Sequence, residues 1–282
     1  MTPAEAKRGR LQATAWIYFV ALLIFAVVIA VLFGWSIWTA LLLALLLACP
    51  IAIVWTYILS QRPIPVPLGP SPATHADVRF FDWIAPWYEG VWCPAFGFGE
   101  AFRERVVAVC AFAKGEHVLD AGCGTGWLTR RAADAVGPTG AAWGIDAAPD
   151  MIRVAMQTAG CRHCRARFKL AAVEALPFED ESFDAVVMSL VLHHVPTDAR
   201  AIGLKEVCRV LKRDGRLVVV DVDRPASLFS RTVRLPFHVL PNIESLLAGG
   251  VEALLAEAGL ASVRRVGSWG SFVGMWRAAK RA

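Results

Sequence analysis

An apolar run that ends in an acid and leads into three alternating glycines constrains the fold of this chain most. Residues 117–126 read HVLDAGCGTG, with glycines at 122, 124 and 126. This pattern is typical of a buried strand that stops at a tight turn and passes directly into a helix. Because glycine lacks a Cβ atom, it allows positive φ and a close approach to a ligand. The sequence therefore predicts a ligand-binding loop at the carboxyl end of a strand.

A second acid at the end of an apolar run indicates the class of ligand. The run at 141–145 ends at Asp146, twenty residues beyond Gly126. An acid at the tip of the neighbouring strand can accept hydrogen bonds from the two hydroxyls of a ribose. Together, the loop and Asp146 predict a nucleoside-type cofactor that lies across the carboxyl ends of a parallel sheet.

The spacing of the glycines distinguishes between two kinds of cofactor. In the dinucleotide fingerprint GxGxxG, read from Gly122, the third glycine would fall at Trp127. A bulky indole at that position disfavours close approach of a pyrophosphate. The pattern is instead DxGxGxG, which resembles motif I of the class I S-adenosylmethionine-dependent methyltransferases.

The resemblance continues along the chain and covers residues 78–277. Three later segments carry it: VEALPF at 173–178 with ESFDAVV at 181–187, SLVLHHVP at 189–196, and EVCRVLKRDGRL at 206–217. Their order is similar to that of the ubiquinone/menaquinone C-methyltransferases and the bacterial phospholipid N-methyltransferases. The resemblance implies S-adenosylmethionine as cofactor and an α/β, Rossmann-like fold. It also implies seven strands, one of them antiparallel, with helices on both faces of the sheet.

The resemblance also implies which residues bind the cofactor. Asp120 and the loop would hold the methionine part, Asp146 the ribose, and Val173 the adenine edge through its backbone N–H. Ala172 stands where the family usually has an acid, so we expect Glu174 or a backbone carbonyl to accept from the adenine amino group. Glu174 should point to the same side of an extended segment. The expected set is Asp120, Gly122, Cys123, Gly124, Gly126, Asp146, Ala147, Met151, Val173, Glu174 and Ser189.

Three residues are candidates for catalysis. His193 and His194 end the predicted fourth strand, where one of them could remove a proton from an acceptor. The alternative is that the pair caps the strand and packs the next helix. Tyr88 matches the tyrosine of an FDxIAxxY segment that closes over the cofactor in the resembled family. Asp221 and Asp223, at the end of the fifth strand, are weaker candidates.

Alternating patterns predict the order of elements in residues 78–282, the expected methyltransferase domain. Strands are expected near 117–121, 141–146, 166–172, 184–190, 216–222, 261–267 and 270–277. Helices are expected near 100–113, 127–136, 149–158, 198–211 and 250–258. The segment 224–249 carries apolar residues interleaved with Arg231 and Arg234. It is interpreted either as a lid that admits a lipid or as an ordinary packed connection.

The N-terminal region has a different composition from the rest of the chain. Residues 11–61 contain no Asp, Glu, Lys or Arg. The apolar stretches 13–33 and 37–59 would each form a helix of roughly 30–35 Å, enough to cross a bilayer core. We therefore predict a basic tail at 1–12, a two-helix membrane hairpin at 13–60 and a proline-rich linker at 61–77. A cleaved signal peptide and a buried soluble hairpin are the alternatives, and both explain the pattern less well.

Charge and cysteine usage add smaller constraints. Lys7, Arg8 and Arg10 precede the hairpin and Arg62 follows it, which predicts that both ends face the cytoplasm. The formal net charge of +5 suits anionic headgroups, and it is explained equally well by an ordinary solvated basic surface. No pattern typical of nucleic-acid binding occurs. Cys161 and Cys164 have the spacing of one ligand pair of a zinc site, but no second Cys or His pair with matching spacing occurs, and no metal is predicted.

Two hypotheses about function follow. The first is a membrane-anchored methyltransferase that acts on a lipophilic acceptor: a quinone ring, a phospholipid amine, a phenol or a thiol. Tethering would help, because such an acceptor is dissolved in the bilayer. The second hypothesis is a membrane scaffold that binds S-adenosylmethionine as a sensor and transfers nothing.

Overall fold

A computed structural model describes residues 76–161, 164–223, 246–247, 250–270 and 272–280. The predicted hairpin at 13–60, the linker up to residue 75 and most of the segment 224–249 lie outside these residues. Within the described part, no helix is both long and apolar enough to cross a membrane.

A seven-stranded sheet forms the centre of the described domain. The strands are β1 His117–Ala121, β2 Ala141–Asp146, β3 Arg167–Leu170, β4 Phe183–Ser189, β5 Leu211–Val222, β6 Leu260–Trp269 and β7 Val273–Lys280. Their order across the sheet is β3-β2-β1-β4-β5-β7-β6. Strands β1 to β5 run parallel, whereas β7 runs antiparallel to both β5 and β6. The predicted mixed sheet with one antiparallel strand is confirmed.

Helical segments precede β1, and among the described residues four helices lie between later strands. They are α1 Ala76–Ile84, a 3₁₀ turn Ala85–Trp87, a π-helical turn Tyr88–Trp92, α2 Cys93–Ala95, α3 Glu100–Cys110, α4 Trp127–Val136, α5 Pro149–Cys161, α6 Thr197–Val210 and α7 Val251–Glu257. Several bounds differ by three residues or more from those predicted: α5 ends at Cys161 rather than 158, and β7 lies at Val273–Lys280 rather than 270–277. Helix α3 ends three residues early because Ala111 adopts a left-handed conformation. Strand β5 begins at Leu211, not 216, because α6 passes directly into a residue that pairs with Phe183.

The middle of the sheet is buried on both faces, which explains its continuous apolar strands. In β4, Val186 and Met188 pack on one face against Leu204 of α6. Val187 points to the other face, where it packs against Phe102 of α3. This three-layer arrangement fixes the carboxyl ends of β1, β2 and β4 at one edge. The strand order reverses between β1 and β4, where open α/β sheets bind their ligands.

Candidate active site

The carboxyl ends of β1, β2 and β4 open onto a cavity of about 730 Å³, its open mouth included. Residues from the aromatic N-terminal segment cover one side of it. Eight of the eleven expected cofactor residues line this cavity: Gly122, Gly124, Asp146, Ala147, Met151, Val173, Glu174 and Ser189. The sheet therefore brings together residues that lie more than sixty positions apart in the sequence.

The three glycines of the loop after β1 serve different purposes. All three have positive φ, and a Cβ atom at Gly122 or Gly126 would overlap the side chain of Val191 or Phe168. At Gly124 the nearest atom to an added Cβ would be Tyr88 Cε1, at 3.5 Å. The backbone of Gly124 thus faces the cavity, while the missing side chains of Gly122 and Gly126 allow the loop to pack against Val191 and Phe168.

Asp146 lies at the end of β2 beside this loop. Its Oδ2 accepts a hydrogen bond from the backbone N–H of Gly124 at 2.8 Å, and its Oδ1 accepts one from Ala148 at 2.9 Å. Burial raises the pKa of the carboxyl above its usual value. Each oxygen has a second lone pair, so the carboxylate can accept from a ribose diol as well.

Three expected cofactor residues do not line this cavity. Asp120 is buried beneath the loop, where its Oδ2 accepts from Thr129 Oγ1 at 2.7 Å. Burial raises its pKa to about 7. Cys123 lines a second, neighbouring cavity, and Gly126 packs against Phe168. The structure places Asp120 and Gly126 as supports of the loop rather than at the cavity surface.

The segment after β3 forms the far end of the cavity. Ala172, Val173 and Glu174 all line it, as expected for an adenine site. The assumption that this segment is extended was wrong. Val173 and Glu174 lie in a turn that is closed by a hydrogen bond from Ala175 N–H to the Ala172 carbonyl, at 3.2 Å. The turn, rather than strand alternation, directs Glu174 to the cavity.

The aromatic segment before α3 closes over the glycine loop. Tyr88 lies against Gly124, and burial raises the pKa of its hydroxyl well above the usual value. Next to it, Glu89 Oε1 accepts from Thr125 Oγ1 at 2.7 Å and from the Arg130 guanidinium at 2.9 Å. This contact fastens the segment to the loop. Sequence reasoning found Tyr88 through its motif but missed Glu89 and Arg130, which form a pair across forty-one positions without any local pattern.

The two histidines lie in the turn after β4 and have different environments. His194 lines the cavity, with its ring edge-on to Phe81 at a centroid distance of 4.8 Å. His193 is buried, and its Nδ1 lies 2.6 Å from Oδ1 of Asp221. The sequence could not distinguish these neighbours. In this arrangement, His194 can reach a ligand in the cavity, whereas His193 is engaged by an acid of β5.

Asp221 holds the turn after β4 in place. Its Oδ2 accepts from the backbone N–H groups of Val191 and Leu192, at 3.1 and 2.8 Å. Burial acts to raise the pKa of Asp221, but the charge and hydrogen bond of His193, together with the hydrogen bond from the Val222 N–H and the charge of His194, lower the pKa below its usual value. Asp223, the other weak candidate, forms an ion pair with Arg265 at 2.7 Å.

A second cavity of about 550 Å³ adjoins the first beyond Gly124. The two share Tyr88, Gly122, Gly124, Ser189 and Leu190. Aromatic and aliphatic side chains line most of the second cavity, and Arg103 of α3 supplies its charge. Sequence reasoning did not identify Arg103, because one arginine on an amphipathic helix carries no motif.

The described residues contain no cluster of three or more His, Cys, Asp or Glu side chains that could hold a metal ion. The segment between Cys161 and Cys164, for which no metal was predicted, lies outside the described residues at 162 and 163.

The donor set of the first cavity fits S-adenosylmethionine. Asp146 offers carboxylate oxygens for a ribose, and Gly124 offers open backbone where a Cβ atom would intrude. Ala147, Met151 and Val173 offer the apolar surface that an adenine ring requires.

Comparison with known proteins agrees with this chemistry. Residues 118–215 match the family described as a methyltransferase domain. The chain is also 33% identical over 175 residues to the ubiquinone/menaquinone biosynthesis C-methyltransferase of Geotalea uraniireducens, which covers 60% of this chain and 74% of that protein. The chain belongs to the class I S-adenosylmethionine-dependent methyltransferases. The predicted enzyme class and cofactor are confirmed.

Two further comparisons place this methyltransferase among its relatives. It is 34% identical over 164 residues to the demethylmenaquinone methyltransferase of Symbiobacterium thermophilum, which covers 57% of this chain and 63% of that protein. It therefore spans just under two thirds of that relative. The solved structure of an S-adenosylmethionine-dependent methyltransferase from Aquifex aeolicus superimposes with a TM-score of 0.51 at 22% identity, covering 62% of this chain and 88% of that one. At this identity the likeness shows the fold alone.

Proposed function

We propose that this methyltransferase methylates a ring carbon of a lipophilic quinol at the cytoplasmic side of a membrane. The observation that carries the proposal is the 33% identity to a protein named for C-methylation in ubiquinone and menaquinone biosynthesis, across 74% of its length. The apolar surface of the cavity around His194 supports an aromatic acceptor.

The chemistry of such a transfer needs little from the protein besides alignment and one proton acceptor. S-adenosylmethionine supplies an activated methyl group on a sulfonium. Loss of the hydroxyl proton raises electron density at the neighbouring ring carbon, which then forms the new C–C bond as the C–S bond breaks. Loss of the proton from that carbon restores the aromatic ring, and S-adenosylhomocysteine leaves. The residues of the site mainly provide proximity.

His194 is the proposed proton acceptor. It is the histidine that lines the cavity, and Phe81 packs edge-on against its ring. His193 lies behind it with a ring-to-ring distance of 3.9 Å and is fixed by Asp221. In this scheme, His193 and Asp221 hold the turn, and His194 is the histidine that contacts the acceptor. Tyr88, which also lines the cavity, would orient the acceptor.

The chain's own apolar segments favour an acceptor that is dissolved in the bilayer. The predicted hairpin at 13–60 ends sixteen residues before α1 begins. On and just after α1, Trp83 and Trp87 are 59% and 62% exposed, and their neighbours Phe81 and Tyr88 line the cavity. Tryptophan is enriched at membrane–water interfaces. We propose that these indoles lie at the bilayer surface.

The test of this proposal uses the full chain in liposomes with methyl-labelled S-adenosylmethionine. Demethylmenaquinol, phosphatidylethanolamine, a lipophilic phenol and a lipophilic thiol are supplied separately, and products are identified by mass spectrometry. We expect label on a ring carbon of the quinol. Label on another acceptor would overturn the quinol assignment while leaving methyl transfer intact. Cofactor binding without transfer to any acceptor would favour the sensor hypothesis.

A further inference from the structure

Two arginines lie opposite each other on the last two strands of the sheet. Arg264 of β6 and Arg277 of β7 are register partners in an antiparallel pair. Residues that are directly opposite in such a pair project to the same face, with Cβ atoms about 4.5–5.5 Å apart. Like charges in this arrangement destabilise the strand pair. An anion that binds between the two guanidinium groups would offset this repulsion.

The face that carries this pair is the one that α3 covers. Nη2 of Arg277 donates to the carbonyls of Val109 and Cys110 at the end of α3, at 2.9 and 3.3 Å. Nε of Arg277 is buried and has no hydrogen-bond partner among the described residues. A buried donor without an acceptor costs free energy, which a nearby acceptor oxygen would recover. The end of α3 therefore holds Arg277 in place but leaves one of its donors without an acceptor.

A third arginine lies over the same face. Arg105 of α3 is exposed, and its Nη2 lies 3.4 Å from the position that a Cβ atom on Gly267 would occupy. Gly267 pairs with Met275, which packs under α3, so this part of β6 faces the helix. Arg264 precedes Gly267 by three residues on β6 and is also exposed. Three guanidinium groups from three elements thus form one arginine cluster: Arg105, Arg264 and Arg277.

The arginine cluster has no internal counter-charge. No carboxylate among the described residues forms an ion pair with any of its three members. Glu104, the acid next to the cluster on α3, pairs with Arg131 of α4. Asp223 pairs with Arg265, which points to the opposite face of β6 and lies over the Trp276 ring. The charge of the cluster is therefore available to an anion from outside the chain.

We propose that the arginine cluster binds a phosphate group at a site separate from the methyl-transfer site. Guanidinium groups present paired N–H donors that match the oxygens of a phosphate. The cluster lies at the β6 edge of the sheet, three strands from β4 and the cofactor cavity. The phosphate belongs either to a soluble phosphate compound or to an anionic lipid headgroup. The site is independent of which acceptor is methylated.

Calorimetric titration of the full chain in neutral detergent micelles tests the site and separates the two sources. The probes are inorganic phosphate and dihexanoyl phosphatidate, with zwitterionic dihexanoyl phosphatidylcholine as the lipid control. At constant ionic strength, the wild type should bind at least one of the two phosphate probes and should not bind the control. Binding of phosphatidate alone identifies a headgroup site, whereas binding of inorganic phosphate identifies a site for soluble phosphates.

Variants of the exposed members assign the binding to the cluster. Arg105→Gln and Arg264→Gln should each weaken it by on the order of 10-fold, as expected for loss of a hydrogen bond to a charged group. Arg264→Lys keeps the charge but loses the planar fork, so its affinity should be intermediate. The matched control is Arg213→Gln, which removes the same charge from an 82%-exposed side chain on β5 outside the cluster. Its affinity should equal that of the wild type.

Thermal unfolding gives a second measurement that a purely structural arginine would not reproduce. Without phosphate, Arg264→Gln should unfold at or above the wild-type temperature, because the repulsion across the strand pair is relieved. The probe that binds should raise the unfolding temperature of the wild type, because a ligand that binds only the folded state stabilises it. It should raise that of Arg264→Gln much less.

Three outcomes would overturn the proposal. The wild type might bind neither phosphate probe at millimolar concentration. Equal weakening in Arg213→Gln and in the cluster variants would reduce the effect to net charge. A lower unfolding temperature of Arg264→Gln without phosphate would mean that this arginine stabilises the fold through contacts within the protein. None of these outcomes bears on methyl transfer, which the liposome assay measures separately.

Discussion

Nδ1 of His193 lies 2.6 Å from Oδ1 of Asp221, and both side chains are buried behind the cavity wall. This pair makes two adjacent histidines inequivalent. His193 is fixed by an acid of β5, and His194 is left to face the cavity. The same acid accepts from the backbone of Val191 and Leu192, so one carboxylate shapes the whole turn.

The first prediction separates the two histidines. His194→Gln should lower kcat by roughly 10²- to 10⁴-fold if the ring accepts the acceptor's proton, with little change in thermal stability. His193→Gln should instead lower the free energy of unfolding by about 1–3 kcal/mol, since Asp221 loses a buried partner. Rates on demethylmenaquinol and thermal unfolding of both variants check this. A normal kcat in His194→Gln would assign the ring to packing.

The second prediction concerns Asp146. Asp146→Ala should weaken binding of S-adenosylhomocysteine by about 1.5–3 kcal/mol, because the ribose loses a charged acceptor. The backbone N–H groups of Gly124 and Ala148 also donate to the Asp146 carboxylate, so its removal should lower thermal stability as well. Asp146→Asn keeps one oxygen, so its affinity for S-adenosylhomocysteine should lie between those of the wild type and the alanine variant. Calorimetry that shows wild-type affinity in the alanine variant would reject the assigned role.

The third prediction compares two ion pairs with different burial. Glu89→Ala leaves the guanidinium of Arg130, whose side chain is 6% exposed, without its carboxylate, and should cost about 1–3 kcal/mol of stability. Glu104→Ala breaks the exposed pair with Arg131 and should cost about 0–1 kcal/mol. Cofactor affinity should fall only in the Glu89 variant, because Tyr88 is then no longer held over the loop. Equal thermal shifts in the two variants would contradict the fastening role.

The fourth prediction is a pH dependence of stability. Burial raises the pKa of Asp120 to about 7, above the unfolded value of about 3.9. The folded state therefore binds this proton more tightly than the unfolded state does. Protonated Asp120 contributes stability that is fully present below pH about 3.9 and is lost as the pH rises to about 7. Asp120→Asn removes the titration. Thermal unfolding across this range should show wild-type stability falling relative to the variant as pH rises, and a constant difference would refute the shift.

The fifth prediction tests the exposed indoles. Changing Trp83 and Trp87 together to Gln should weaken contact with the bilayer by on the order of 1–3 kcal/mol per side chain, if both enter the interface. The rate on quinol embedded in liposomes should fall, while the rate on quinol dissolved in detergent should not. Met156→Gln, which changes a 50%-exposed apolar residue on α5, is the matched control. Equal rates for all three proteins on liposomes would exclude a membrane role for this surface.

Much of the fold could be predicted because its signals are local. The continuous apolar strands, the glycine loop and the acid at the end of β2 each follow from neighbouring residues, and β1, β2 and α4 have the predicted bounds. The bounds of α3 and β5 differ because a left-handed Ala111 and a direct passage from α6 into β5 leave no distinctive residue pattern. The turn at Val173 was missed for the same reason.

The sequence by itself determined the enzyme class and the cofactor, and eight of the eleven residues that it predicts for the cofactor site line the first cavity. These depend on short motifs whose spacing is set by one strand, one turn and one helix. Only the tertiary structure decided which histidine faces the cavity, that Glu89 fastens the aromatic segment to Arg130, and that Arg103 lines the second cavity beyond Gly124. The reason is physical: each of these roles depends on burial and on partners from distant elements, and both arise only when the sheet is assembled.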